Sequence, residues 1–119
     1  MKILVVDDSK AMRMIVIRNL RQAGYGEATV IEAENGLQGL TAVKAETPNL
    51  VLSDWNMPEM NGLDFLKALR GEGNMTTFGF VTSESTPAMR DQAVDAGAAF
   101  LLAKPFSADD FQALLSSVL

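Results

Sequence analysis

The sequence contains no histidine and no cysteine. Lacking histidine, the chain has no side chain that ordinarily trades protons near neutral pH. Lacking cysteine, it has no thiol nucleophile and no disulfide, and zinc sites built on either residue are excluded. Basic residues are also scarce: 10 Lys and Arg against 15 Asp and Glu leave a net charge of −5, the opposite of a basic nucleic-acid-binding face. Long apolar runs are missing too. Ile3–Val6 is stopped by Asp7-Asp8, well short of a signal-peptide core, and no stretch approaches the roughly 20 apolar residues of a membrane span. Chemistry must therefore come from Asp, Glu, Lys, Ser, Thr, Tyr or a bound cofactor.

What is present suits one folded domain. At 119 residues, 48% hydrophobic and 21% charged, the chain can bury one respectable core, and residues 1–119 are expected to form a single soluble, cytoplasmic domain. Five short apolar runs have strand length: Ile3–Val6, Thr29–Ala33, Leu50–Ser53, Phe78–Thr82 and Ala99–Ala103. Helical spacing fills the gaps. Met12, Ile15, Val16, Leu20 and Ala23 form a first stripe closed by Gly24, and Leu37–Glu46, with Leu37, Leu40, Ala42 and Val43 to one side, ends before Pro48. A third helix is predicted over Leu63–Arg70, a fourth from near Pro87 to Gly97, and a fifth after Ser107. Strand and helix alternate five times, and near-continuous apolar strands belong in a parallel sheet covered on both faces, a doubly wound α/β fold.

In such sheets ligands bind beyond the carboxyl ends of the strands. The first strand ends in Asp7-Asp8, the third in Asp54, the fourth in Thr82-Ser83 and the fifth in Lys104-Pro105. Taken singly, each has a structural explanation: Asp8 or Ser9 can cap a helix, and Asp54 and Lys104 can be solvated surface charges. Together they bring three carboxylates, a hydroxyl and an ammonium to one edge. Three acids in one cleft repel unless a cation relieves them, and all-oxygen ligands favour a hard ion such as partly hydrated Mg²⁺.

The residues Val5-Val6-Asp7-Asp8, Asp54-Trp55-Asn56-Met57-Pro58 with Asn61-Gly62, Val81-Thr82 and Lys104-Pro105-Phe106 resemble the receiver domains of two-component response regulators over essentially the whole chain. The resemblance is greatest to single-domain chemotaxis receivers. It implies a flavodoxin-like (βα)5 sandwich with sheet order 2-1-3-4-5 and Asp54 as phosphoryl acceptor. Mg²⁺ (or Mn²⁺) would be held by Asp8 and Asp54, by Asp7 directly or through water, and by the Asn56 backbone carbonyl. Lys104 and Thr82 would hold phosphoryl oxygens, Asn56 and Glu84 would tune hydrolysis, and a cis bond before Pro105 would aim Lys104. The donor would be a histidine kinase or histidine phosphotransfer protein, or a small acyl phosphate, since the chain has no histidine of its own. Docking of that donor is expected at Met14, Ile17, Pro105 and Phe106, with Arg13, Arg18 and Arg21 flanking the first two. Output would go to a protein effector from a monomer or weak dimer, without nucleic acid or membrane insertion. The chain would be no enzyme beyond phosphotransfer and hydrolysis at its own Asp54. In many receivers an aromatic stands three residues before the lysine and turns inward as part of a switch with the threonine. Here that residue is Leu101, with Phe100 predicted to face the other side of the sheet.

Alternative roles are a phosphorelay intermediate or phosphate sink, and a non-phosphorylated adaptor, which the intact Asp8, Asp54, Thr82 and Lys104 disfavour. A nucleotide or flavin carrier would need a phosphate-cradling loop after the first strand, where Asp7-Asp8 stands instead. A Mg²⁺-dependent phosphatase would need a further acid/base residue and a substrate cap, for which 119 residues leave no room.

Overall fold

The computed structural model describes residues 1–119. Five strands, β1 (Lys2–Val6), β2 (Thr29–Ala33), β3 (Leu50–Ser53), β4 (Thr77–Thr82) and β5 (Phe100–Ala103), pair in parallel in the order β2-β1-β3-β4-β5. Five helices alternate with them: α1 (Lys10–Leu20), α2 (Gly36–Glu46), α3 (Gly62–Gly71), α4 (Pro87–Ala96) and α5 (Ala108–Val118). No helix is long and apolar enough to cross a membrane. The expected sheet order and alternation hold, with small changes at element ends.

Local chemistry starts each helix. Ser9, Asn35, Asn61, Thr86 and Ser107 each accept a hydrogen bond from a backbone N–H of the first turn, satisfying donors that have no partner inside the helix. Pro87 adds a preset φ at the start of α4, and Asp110 completes a capping box with Ser107. After Leu20 the chain runs on through a wide turn, Arg21–Tyr25, broken at Gly24, whose φ of 100° is in the left-handed region.

The buried strands feed two cores. Leu4, Val6, Val51, Phe78, Phe80 and Leu101 lie on one face with residues of α2, α3 and α4. Ile3, Val5, Leu50, Leu52 and Val81 lie on the other with Val16, Leu20, Phe111 and Leu115 of α1 and α5. Phe65, Phe78, Phe80 and Phe111 are fully buried, each worth about 1.5–3 kcal/mol of hydrophobic stabilisation. Phe100 packs with the second core and Leu101 with the first, the expected split. Three expectations fail. Ile15 and Leu37 are 37% and 48% exposed, because the apolar stripes of α1 and α2 are narrower than the spacing suggests. Ile17 is half-buried against the second core instead of standing free, and the side chain that turns inward beside it on α1 is Arg13.

The start of α3 is packed hard against β3. The Gly62 N–H donates to the Trp55 carbonyl at 2.8 Å, and a Cβ at Gly62 would collide with the Asp54 carbonyl oxygen and reach within 2.9 Å of the Phe80 ring. At Gly71, the far end of the same helix, a Cβ would meet nothing within 4 Å. Gly62→Ala should therefore destabilise the protein by about 2 kcal/mol or more, whereas Gly71→Ala should be neutral or slightly stabilising. Urea denaturation of the pair checks this; equal effects would contradict the close approach at Gly62.

Candidate functional site

Backbone pairing continues one residue past the strands and thereby carries the site. The Asp7 N–H donates to the Ala33 carbonyl at 3.1 Å, Asp54 N–H to Val6 at 2.9 Å and Lys104 N–H to Thr82 at 2.8 Å. These bonds place Asp7 at the end of β1, Asp54 at the end of β3 and Lys104 at the end of β5, beside Thr82, the buried last residue of β4. This edge includes the carboxyl ends of β1 and β3, where the topology of a doubly wound sheet opens a crevice.

One carboxylate oxygen from each of Asp7, Asp8 and Asp54 can be chosen so that all lie within 4.8 Å of one another. Asp7 is buried and Asp8 exposed, so the cluster runs from the protein interior to water. The Ser9 N–H donates to Asp7 Oδ1 at 2.9 Å. Lys104 Nζ lies 3.3 Å from Asp7 Oδ2 and 3.9 Å from Asp54 Oδ2, bridging the two. The Trp55 N–H donates to Asp54 Oδ1 at 2.7 Å. Burial is the largest influence on Asp54 and pushes its carboxyl above the ordinary value of 3.8; Lys104 opposes the rise, the Asp7 charge adds to it, and the Trp55 N–H and Thr82 hydroxyl oppose it more weakly. Excess negative charge collected from separate strands, with oxygen as the only ligand atom, fits a hard divalent cation such as Mg²⁺.

Asn56 and Glu84 are both exposed, and the Glu84 N–H approaches the Thr82 hydroxyl oxygen at 3.4 Å. The Lys104–Pro105 bond is cis. Met14 is 60% exposed, and Pro105 and Phe106 form a groove with Met12, Ile15 and Lys104. Ile17 is not part of that groove. It faces Tyr25, Ala28 and Val30 on the β2 side, so Ile15, a core residue by its spacing in the sequence, takes the place expected of Ile17.

The aromatic support under the site is a feature that the sequence motifs do not include. Trp55 lies against Phe80 with ring centroids 4.7 Å apart, and Phe80 meets Phe78 at 5.1 Å. Phe80 is the register partner of Leu101. The aromatic bulk beside this strand position thus comes from β4 and Trp55, with a leucine on β5. The even spacing of Phe78, Phe80 and Thr82 on one strand face is the signal that could have found it.

Comparison with known proteins agrees with this geometry. The family model described as response regulator receiver domain matches residues 3–116. The chemotaxis protein CheY1 of Helicobacter pylori is 38% identical over 100% of this chain and 97% of its own length. A probable chemotaxis protein CheY of Rhizobium etli is 34% identical over 98% of this chain and 91% of its own. Among solved structures, chemotaxis protein CheY4 of Vibrio cholerae superposes with a TM-score of 0.87 at 33% identity, covering 99% of this chain and 98% of that one.

The raised carboxyl of Asp54 has a stability consequence. The native state holds this proton more tightly than the unfolded chain, so ionisation costs stability as pH rises from the ordinary carboxylate range through the raised value. In metal-free buffer Asp54→Asn should be more stable than wild type at neutral pH, with the advantage fading below about pH 4. Urea denaturation across pH in EDTA measures it. Equal stability of the two proteins at neutral pH, or a less stable variant, would contradict the burial argument.

Proposed function

Because the chain belongs to the response regulator receiver domain family, we propose that it is a phosphorylatable response regulator whose acceptor is Asp54. The observation that carries this reading is Lys104 Nζ bridging Asp7 and Asp54 beside three clustered carboxylates. An Asp54 carboxylate oxygen attacks the phosphorus of a phosphohistidine on a kinase or phosphotransfer protein. A P–O bond to Asp54 forms, the P–N bond breaks, and the imidazole leaves. Carboxylates are weak nucleophiles, so rate comes from alignment and from neutralising charge on the phosphoryl oxygens. In this reading Lys104 and the Thr82 hydroxyl do this. Mg²⁺ or Mn²⁺, held by Asp8, Asp54, Asp7 and the Asn56 carbonyl, would supply the remaining positive charge when bound.

Hydrolysis needs only a water aligned with the acyl phosphate, and Asn56 and Glu84, both exposed, are the residues that tune it. The protein acts on its own Asp54 and turns over no other substrate. Docking of the donor uses Met14 and the groove of Met12, Ile15, Pro105 and Phe106, an arrangement that suits an apolar helix face on the partner. Phosphorylation adds about −1.5 to −2 charges beside Thr82 and shifts a two-state equilibrium of the surface read by a protein effector. The names of the relatives favour a chemotaxis target; in this reading the chain acts in the cytoplasm as a monomer or weak dimer.

Incubation with acetyl phosphate and Mg²⁺ should add the mass of one phosphoryl group to the wild type. Asp54→Asn and excess EDTA should each abolish it, and Asn56→Ala and Glu84→Ala should change the decay rate of the adduct by several-fold. Labelling that survives Asp54→Asn, or none in the wild type, would sink the reading.

A further inference from the structure

We propose that Arg13 is the positioning residue of the acidic cluster, an inference that rests on the receiver reading above. Arg13 sits on α1, between exposed residues Ala11 and Met14, yet its side chain is only 9% exposed. Nη1 donates to the Asp7 backbone carbonyl at 2.6 Å, and Nε donates to Glu32 Oε1 on β2 at 2.9 Å. Asp7 lies just past the end of β1, and its N–H is already committed to Ala33. Arg13 gives the carbonyl on the other side of that residue a charged donor, and charge-assisted bonds are shorter and stronger than neutral ones.

The consequence is geometric. The clamped carbonyl belongs to the peptide that joins Asp7 to Asp8, two of the three clustered acids. Rotation of that peptide would swing the two carboxylates relative to each other. The Asp7 carboxylate is separately fixed by the Ser9 N–H and Lys104. Asp8 is exposed and enters none of the hydrogen bonds or ion pairs that hold Asp7, so its placement depends on the backbone that Arg13 holds. Glu32 anchors the guanidinium from the neighbouring strand and neutralises its charge, so the effect comes from direction. A planar fork can donate in two fixed directions at once; a lysine ammonium is a point charge on a flexible stem and cannot reproduce this. Partners that orient metal ligands typically contribute 10–100-fold to metal affinity.

The test is titration with Mg²⁺ alone, read by calorimetry and by emission of Trp55, the single tryptophan, whose backbone N–H is bonded to Asp54 Oδ1. Arg13→Lys, which keeps the charge, and Arg13→Met should each weaken Mg²⁺ binding by about 10-fold or more. Glu32→Gln, which retains an acceptor oxygen, should stay within about twofold, because the expected loss follows the geometry of the clamp. Leu115→Ala, a core truncation on α5, should lower thermal stability without changing Mg²⁺ affinity. Wild-type affinity in Arg13→Lys would overturn the positioning role, as would equal weakening in Leu115→Ala. Should Arg13→Met fail to fold, Arg13→Lys decides alone. No Mg²⁺ binding by the wild type would instead overturn the cation site itself, and the role of Arg13 with it.

Discussion

The mutual repulsion of Asp7, Asp8 and Asp54 is the constraint on which the rest of the molecule turns. Their oxygens can gather within 4.8 Å, and one ammonium, Lys104, stands against them. Burial of Asp54 raises its carboxyl above the ordinary value, Lys104 opposes the rise, and the Asp7 charge adds to it. A site of this kind costs stability in the folded protein. It persists because the surrounding structure over-determines it.

The over-determination comes from the sheet. Strand pairing extends one residue beyond β1, β3 and β5, so the functional positions inherit the rigidity of the two cores. Close packing of Gly62 on the Asp54 carbonyl fixes the β3–α3 connection from behind. The Arg13–Glu32 pair closes the opposite flank across α1 and β2. Asp8, Asn56 and Glu84 are exposed, so the same edge is open to solvent. Rigid support below and open access above are what the proposed phosphoryl transfer, governed by alignment, requires.

Much of this is legible in the sequence, for identifiable reasons. Buried parallel strands are apolar on both faces, so their runs stand out, and residues just after them can be placed on one edge without knowing any contact. Side-chain caps mark the helix starts. The helical faces are less legible. Ile15 and Ile17 on α1 are both β-branched, apolar and two residues apart, and spacing alone gives the inward place to the wrong one. Arg13 looks like part of a basic surface because nothing local reveals its partner; Glu32 is 19 residues away, on a strand that only the fold brings alongside. The inward place of Leu101 follows from strand alternation, while the Trp55–Phe80 contact that supports the same region depends on a β3–β4 neighbourhood invisible to local patterns.

If the acids are held together against their repulsion in order to bind a cation, the cation should stabilise the fold that assembles them, because a ligand that binds only the native state raises its stability. Thermal unfolding of the wild type and of Asp8→Asn, with Mg²⁺ and with NaCl at matched ionic strength, tests this most directly. The account predicts a rise in Tm with Mg²⁺ in the wild type that NaCl does not reproduce and that Asp8→Asn largely loses. A wild-type Tm indifferent to Mg²⁺, or an equal rise in Asp8→Asn, would contradict it.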